Sequence, residues 1–222
     1  MGIARGPKIV TSGLVLALDA ADKNSYKGTG TTWRDLSGNN NTGTLTNGPT
    51  YNSANGGSIV FDGVDDYVNV TNNLGSFTSL SICGWFRQLV SGNQKWIGVA
   101  ESDNTKATWI GSGNSGIDAG WDFAFNANDR NNIEGTGNLW NYYSIIYDGS
   151  INQYGYRNAI LKSSSTITQF SYSNLKLNIG KRAWADSGYF NGNIAQSSIY
   201  NRALSASEVL QNYNATKNRF GL

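Results

Sequence analysis

The sequence contains no histidine, and cysteine and proline are scarce: among 222 residues there are one cysteine and two prolines. The absence of histidine excludes Ser-His-Asp and Cys-His catalysis, zinc sites built on imidazole and a histidine-based pH switch. With Cys83 as its single cysteine, the chain can form neither an internal disulfide nor a CxxC metal site. Cys83 lies in an apolar run, which predicts a small buried side chain.

Charge is also sparse. Charged residues make up 14% of the chain and the formal net charge is +2, whereas an average domain is about 25% charged. Nucleic-acid-binding proteins usually carry a clustered basic stripe, so we expect no nucleic-acid partner. No run reaches the ~18 consecutive apolar residues of a membrane span, which predicts no membrane insertion. The first residues lack the apolar segment of a signal peptide, so we expect the chain to fold in a cytoplasm.

What the chain does contain is a strand-and-turn pattern rich in glycine and aromatic residues. Glycine occurs 27 times, and 12% of the residues are aromatic. Short apolar or alternating runs recur at roughly 8–12-residue spacing with turn residues between them, which is typical of an all-β sandwich. Leu80, Ile82 and Phe86 alternate toward one face of a strand, and Asp148-Gly149 predicts a hairpin. No linker divides the chain, so we predict one domain.

Residues 19–50 interrupt this pattern with a long stretch rich in Gly, Asn and Thr. These residue types favour turns, so we expect a long loop region. A loop of this length is usually either functional or packed on the body of the domain. Trp33 and Leu36 favour packing, because both side chains are large and apolar.

The stretch from residue 188 onward predicts a strand that is followed by a short helix. Ser205 and Glu208 form a capping box, in which each side chain satisfies an unpaired backbone N–H at the start of a helix. The helix is expected over about residues 206–215. Its predicted apolar stripe consists of Val209, Leu210 and Tyr213.

Two segments resemble those of laminin-G-like, concanavalin A-like proteins. They are G-x-I-x-x-x-x-I-Y-N-R-A-L-S-x-x-E, from Gly192 to Glu208, and S-I-V-F-D-G-V-D-D-Y-V at residues 58–68. The resemblance implies an all-β, two-sheet antiparallel jelly-roll sandwich with a short C-terminal helix. We expect one such domain over residues 13–222, after an extended N-terminal arm at residues 1–12. This fold hosts many functions, so the resemblance does not by itself define an activity.

The related fold includes glucanases, whose strand motif Glu-x-Asp-x-(x)-Glu places a retaining carboxylate pair ~5–5.5 Å apart. This chain has only Glu101, Glu134 and Glu208, and none of them lies in such a motif. Glu101-Ser102-Asp103 is the nearest approach, but it lies among turn residues. We therefore predict no catalytic residues and a protein that is not an enzyme.

The densest acidic cluster consists of Asp62, Asp65 and Asp66. Calcium prefers hard oxygen ligands of this kind, and laminin-G-like domains often carry a calcium ion. The alternative is a turn in which the aspartates accept hydrogen bonds from their own backbone. We favour the turn, and calcium is the one cofactor that the sequence leaves open.

Aromatic side chains beside Gly- and Asn-rich loops raise the question of sugar binding. Lectins stack sugar rings on exposed Trp or Tyr and bind the hydroxyls through Asn and Asp. Trp109, Trp140 and Trp184 are the candidate ligand-binding residues, although any single Trp in a sandwich is more often part of the core. Trp184 is the best candidate for an exposed ring, because small and charged residues surround it.

The N-terminal arm has few apolar residues and contains a Gly-Pro break. Chain ends usually fray unless something holds them. We therefore expect the arm to be ordered by contact with another chain, through Ile3, Ile9 and Val10, and extend this expectation to residues 220–222. The alternative is an arm that folds back on its own domain.

A single jelly-roll domain behind a short arm resembles structural proteins of tailed bacteriophages, especially marine ones. The leading hypothesis is a non-enzymatic virion surface protein: a capsid decoration, a head fibre or a tail-adhesin component assembled in the host cytoplasm. Its expected partners are other virion proteins or copies of itself, with host surface glycans as a further class. The alternatives are a free carbohydrate-binding lectin module and, third, a glycoside hydrolase.

Overall fold

The fold is a sandwich of antiparallel strands, seen here in a computed structural model. The structure describes residues 8–70, 74–90, 92–101, 106–112, 121–125, 129–133, 138–169, 171–183 and 185–222, with backbone alone for residues 121–125 and 129–132. The strands in chain order are β1 (Leu14–Asp19), β2 (Thr32–Trp33), β3 (Gly43–Thr46), β4 (Thr50–Asn52), β5 (Ser58–Asp62), β6 (Tyr67–Val70), β7 (Leu80–Gln88), β8 (Lys95–Ala100), β9 (Ala107–Ser112), β10 (Trp121–Phe125), β11 (Asp129–Ile133), β12 (Asn141–Tyr147), β13 (Asn152–Arg157), β14 (Ile160–Thr166), β15 (Lys176–Ile179) and β16 (Asn191–Tyr200). The helices are α1 (Ala206–Thr216) and two short 3₁₀ turns, Ala54–Gly56 and Lys217–Phe220.

These strands form two sheets, and every pairing is antiparallel. Sheet A has the order β14-β13-β12-β7-β16-β5-β4, and β1 also pairs with β16. Sheet B has the order β11-β10-β9-β8-β15-β6-β3-β2. The predicted Asp148-Gly149 hairpin joins β12 to β13, which pair in register from Tyr147↔Gln153 to Tyr143↔Arg157. The two sheets and the short closing helix confirm the predicted all-β sandwich.

The main core lies between the two sheets. Leu80, Ile82 and Phe86 of β7 all belong to this inter-sheet cluster, as their alternation predicted. Phe86 stacks on Trp96 of sheet B, with ring centroids 4.8 Å apart. Large aromatic side chains therefore supply much of the apolar area that this sandwich buries.

A second apolar cluster lies on the outer face of sheet A, beneath α1. Cys83 and Trp85 of β7 point to this face, and Val209 of the helix packs on them. Cys83 is buried, as predicted, and burial raises the pKa of its thiol to about 11. The thiol therefore stays protonated at neutral pH and behaves as a small apolar side chain.

The helix begins at the predicted capping box. Glu208 N donates to Ser205 Oγ at 3.3 Å, and Ser205 N donates to Glu208 Oε2 at 2.9 Å. The predicted apolar stripe is wrong in one position, because Leu210 is 47% exposed. The helix instead buries Val209 together with Asn212 and Thr216, so part of its inward face is polar and bonded to its neighbours.

We expect Glu208 to make stability depend on pH. Hydrogen bonds from Arg202, at 2.9 and 2.6 Å, and from Ser205 N lower the pKa of Glu208 from 4.5 to about 2. Because the folded state favours the ionised form, this stabilisation is present above about pH 4.5 and is lost as the pH falls toward 2. In urea unfolding, the wild type should have a higher free energy of unfolding than Glu208→Gln at pH 6, and this difference should shrink toward pH 2. A difference that stays constant over this range would contradict the assignment.

The segment at residues 19–50 is only partly the loop that the sequence predicts. It contributes β2 and β3 to the edge of sheet B, with Thr32↔Thr44 and Trp33↔Gly43 in register. Trp33 is fully buried, as expected, whereas Leu36 is 40% exposed and the packing prediction is wrong for this residue. The strands were missed because two- and four-residue runs carry too little alternation to be recognised.

The described part of the arm, from residue 8, packs on its own domain. The Val10 side chain is buried in the cluster beneath α1. Its amide donates to Asn212 Oδ1 at 2.7 Å, and its carbonyl accepts from Tyr200 Oη at 3.0 Å. Val10 is therefore ordered within its own chain, which corrects the argument that another chain must hold it. Ile9 is half-buried and Ile3 lies outside the described residues, so an assembly contact through them stays a prediction.

Candidate functional site

A cleft of about 450 Å³ opens on sheet A beside the end of the closing helix. Its position follows from the second apolar cluster, since the turn after α1 folds across β7 and β12 and leaves a gap at its edge. Nine residues line the cleft: Arg87, Asn138, Leu139, Trp140, Asn141, Arg157, Asn158, Phe220 and Leu222.

Two aromatic rings supply the apolar wall of the cleft. The Trp140 and Phe220 centroids lie 4.8 Å apart with the rings tilted by 44°. Phe220 in turn stacks on buried Trp85 at 4.1 Å, which fixes its position. Trp140 is half-buried, and no hydrogen-bond partner is found for its buried Nε1 among the described residues. The Trp140 ring is thus held against the body of the domain while part of it stays accessible.

Polar side chains lie beside this wall in fixed orientations. Asn138 Oδ1 accepts two hydrogen bonds from the Arg87 guanidinium, from Nε at 3.0 Å and Nη2 at 2.9 Å. Asn158 Oδ1 accepts from Tyr142 N at 2.9 Å, and its amide nitrogen donates to Asn141 Oδ1 at 3.1 Å. An apolar platform next to oriented amide and guanidinium donors can bind a molecule that has a flat apolar face and many hydroxyls.

Among the described residues, the lining of the cleft contains neither aspartate nor glutamate, the side chains that usually act as general acid and base in glycosidases. Glu101 lies elsewhere and accepts from Ser173 N at 2.8 Å and Lys106 Nζ at 3.3 Å. Burial pushes the pKa of Glu101 up, but these hydrogen bonds outweigh burial and lower it overall. A glycosidase general acid needs a raised pKa, so Glu101 does not fit that role. Glu208 caps α1, and Glu134 lies outside the described residues.

The acidic cluster forms a tight turn between β5 and β6. Carboxylate oxygens of Asp62, Asp65 and Asp66 lie within 4.8 Å of one another. Asp62 Oδ1 accepts from Val64 N at 2.8 Å, and Asp66 Oδ2 accepts from Asp62 N at 3.0 Å, as the predicted turn requires. Burial, above all, raises the pKa of Asp66, and the charges of Asp62 and Asp65 act in the same direction. Three oxygen donors this close also suit Ca²⁺, so the donor set fits either alternative.

Trp109 and Trp140, two of the three predicted ligand-binding tryptophans, lie apart on different sheets. Trp109 lies on the outer face of sheet B in a small cluster with Ala100, Ala107 and Ala183. It is only 4% exposed, so its ring is not available as a platform for a ligand. Trp184, the predicted best candidate, lies outside the described residues. Of the three, Trp140 is the one that the described structure places in a cleft.

The cleft residues other than Trp140 were not predicted from the sequence. Arg87, Trp140 and Phe220 are distant in the chain and meet only through the pairing of β7 with β12 and the fold-back of the C-terminal turn. Residues 220–222 were expected to contact another chain, but Phe220 packs on Trp85 of its own chain. Their spacing carries no local signal, so only the tertiary structure identifies the site.

Comparison with known proteins defines the family. A family model described as the concanavalin A-like lectin/glucanases superfamily, Laminin_G_3, matches residues 62–210, more than half of the chain. The chain therefore belongs to this family, in agreement with the resemblance of its two segments. Comparison with curated proteins finds no match.

Solved structures support the same fold. The chain is similar to domain 4 of AbnA, a GH43 extracellular arabinanase from Geobacillus stearothermophilus solved with arabinotriose, at 20% identity and a TM-score of 0.71, covering 91% of this chain and 98% of that one. It is also similar to botulinum neurotoxin type C, whose cell entry depends on two ganglioside molecules, at 18% identity and a TM-score of 0.67, covering 93% and 52%. The serotype D ligand-binding domain, solved with N-acetylneuraminic acid, gives 15% identity and a TM-score of 0.67, covering 92% and 51%. The chain thus spans about half the length of the toxin chains that it matches.

None of the described helices has the length and apolar character that crossing a membrane requires.

Proposed function

We propose that this chain is a non-catalytic carbohydrate-binding module and that its sugar site is the cleft at Trp140. The observation that carries the proposal is the aromatic wall of Trp140 and Phe220 beside the oriented Arg87, Asn141 and Asn158 side chains. A pyranose ring has a flat C–H face that packs on an aromatic ring and equatorial hydroxyls that pair with amide and guanidinium groups. Both kinds of partner lie in one cleft here.

Two further observations support binding without catalysis. The arabinanase domain and the toxin domains that share this fold were described with arabinotriose, gangliosides or N-acetylneuraminic acid. At identities of 20% or less these matches carry the fold alone, so the choice of sugar must come from this chain's own cleft. The part of the cleft lining that the structure describes holds no carboxylate pair of the kind that hydrolyses glycosidic bonds.

The place of action is part of the same proposal. We propose that the module serves on the surface of a tailed-phage virion, as a capsid decoration, head-fibre or tail-adhesin component that contacts other virion proteins or copies of itself. The support is the resemblance of the sequence to structural proteins of tailed bacteriophages. A free lectin module is the alternative. Mass spectrometry of purified virions from an infected host discriminates between the two, because only the first places the chain in the particle.

A glycan array tests the sugar site directly. The wild type should bind a subset of glycans, and Trp140→Ala should weaken that binding about tenfold or more, because truncating an aromatic anchor typically costs above 1.4 kcal/mol. Leu210→Ala, at an exposed position outside the cleft, is the matched control and should bind normally. Thermal melting of all three proteins separates lost binding from lost folding. Absence of binding to every glycan, or equal binding by Trp140→Ala, would reject the site.

Two further measurements accompany the glycan array, one for calcium and one for hydrolysis. Repeating the array with a chelator tests calcium: loss of binding, together with a melting temperature that rises with added Ca²⁺, would support an ion at Asp62, Asp65 and Asp66. No shift at millimolar Ca²⁺ would support the turn alone. Release of reducing ends from bound polysaccharide would contradict the non-enzymatic assignment and favour the glycoside hydrolase alternative.

A further inference from the structure

We propose that the cleft at Trp140 selects sugars that carry an anionic group, a sulfate ester or a carboxylate, and that Arg87 is the residue that binds this group. The inference rests on the proposed function, because it names the class of sugar for the same site. Three features of the cleft carry it: the balance of charge in its lining, the orientation of Arg87 and the neutral partner that holds Arg87.

Positive charge predominates among the described side chains that line the cleft. They include the guanidinium groups of Arg87 and Arg157 and no aspartate or glutamate side chain. This bias is local, since the whole chain carries a net charge of only +2. A concave site lined by charge of one sign focuses its field and favours ligands of the opposite sign.

Arg87 is oriented without being neutralised. Both hydrogen bonds that fix its guanidinium run to Asn138 Oδ1, an uncharged acceptor. No ion pair links Arg87 to an acidic side chain in the described part of the chain. An Arg side chain has five N–H donors, so donors remain for a ligand after Asn138 has accepted from two. Guanidinium binds planar oxyanions such as carboxylate and sulfate through paired hydrogen bonds, which makes Arg87 suited to such a group.

A left-handed backbone conformation and a backbone hydrogen bond to β7 position Asn138. It has a left-handed φ of +29°, and its amide donates to Gln88 O at 3.0 Å, next to Arg87 on β7. Asparagine tolerates this conformation better than other non-glycine residues. The same turn therefore places the amide oxygen on the guanidinium and the following Trp140 in the wall of the cleft.

A second cationic depression, on the outer face of sheet B, is a weaker candidate for the same ligand. It has a volume of about 260 Å³ and includes Lys181 and Asp186. Lys181 Nζ lies 2.6 Å from Asp186 Oδ1 and also 3.9 Å from the Tyr67 ring centroid. An anion there would have to compete with a carboxylate that is already bound, whereas Arg87 has no such competitor among the described residues.

The test compares three forms of one oligosaccharide, unsubstituted, sulfated and carboxylated, by titration calorimetry in low and in high salt. The wild type should bind at least one charged form about tenfold or more tightly than the neutral form, and salt should reduce this ratio. The two charged forms show whether sulfate or carboxylate is the preferred group. Arg87→Gln should bring the charged-to-neutral ratio near one, while Arg34→Gln, at an exposed position outside the cleft, should leave the ratio unchanged.

The outcomes distinguish failure of the charge preference, of the role of Arg87 and of the sugar site itself. Binding of the neutral form as tightly as the charged forms, with loss in Trp140→Ala, would overturn the charge preference and leave the sugar site intact. A preference that persists in Arg87→Gln would overturn the role of Arg87. No binding of any form by the folded wild type would reject the sugar site and the charge preference together.

Discussion

Replacing Trp96 with alanine is expected to lower the free energy of unfolding by about 3–5 kcal/mol, the usual cost of removing a large aromatic side chain from a core. Trp96 has no solvent exposure and lies between the sheets. Its ring centroid is 4.8 Å from that of Phe86 and 4.9 Å from that of Tyr143, both on sheet A. The truncation would leave a cavity where sheet B meets sheet A, and neither backbone can move in to fill it without breaking strand pairs.

Chemical and thermal unfolding measure this effect. For a chain of this size the loss corresponds to a decrease in melting temperature of roughly 6–20 °C. Trp96→Phe keeps most of the ring contact and should lose clearly less, and Leu210→Ala on the helix surface should change stability by no more than about 0.5 kcal/mol. A Trp96→Ala protein that unfolds within about 1 kcal/mol of the wild type would show that the inter-sheet contact matters little.

The features of the fold that the sequence predicted are those with local causes. The capping box needs only Ser205 and Glu208, three residues apart, and the helix begins where these residues indicate. The Asp148-Gly149 turn likewise determines its own hairpin. Alternation along β7 assigned its inward residues correctly because successive side chains of a strand point to opposite faces of the sheet.

The features that were not predicted depend on which other part of the chain covers a given face of a helix, strand or loop. Leu210 has the spacing of a buried helix position, but α1 lies on sheet A at an angle that buries Asn212 and Thr216 instead. Leu36 is apolar in a loop, yet it is the backbone of that loop that contacts β1: Leu36 N donates to Ala17 O at 2.8 Å. In both cases residue type alone gave the wrong burial, because a hydrogen-bonding network determined the orientation.

The candidate site shows the same limit more strongly. Trp109 and Trp140 are equivalent as sequence features, since both are aromatic residues near Gly- and Asn-rich segments. The structure buries Trp109 beneath Ala183 on sheet B and leaves Trp140 at the rim of a cleft on sheet A. Which of the two can meet a ligand depends on segments that cross each sheet, and this information is not present in any local pattern.

Trp85→Ala should have the second large effect, and this effect should reach the cleft. Trp85 is fully buried on the outer face of sheet A. Its ring stacks on Phe220 at 4.1 Å and on Tyr213 at 5.8 Å, and its Nε1 donates to Thr216 Oγ1 at 2.7 Å. One side chain thus anchors both the end of α1 and the turn that follows it. We expect a loss of about 3–5 kcal/mol of stability.

Trp85→Ala and Trp96→Ala should differ in which part of the protein they destabilise. Because Phe220 packs between Trp85 and Trp140, Trp85→Ala should weaken glycan binding as well as stability, whereas Trp96→Ala should affect stability alone while the protein stays folded. Thr216→Val keeps the Trp85 ring but removes its hydrogen bond, together with the bond that Thr216 Oγ1 donates to Asn212 O. It should cost about 1–3 kcal/mol, since it leaves the buried Trp85 N–H without its partner. Hydrogen exchange should show α1 amides opening earlier in Trp85→Ala than in Trp96→Ala at matched stability. Unchanged protection of α1 in Trp85→Ala would mean that Val209 and the capping box hold the helix without the tryptophan, and that the wall of the cleft does not depend on it.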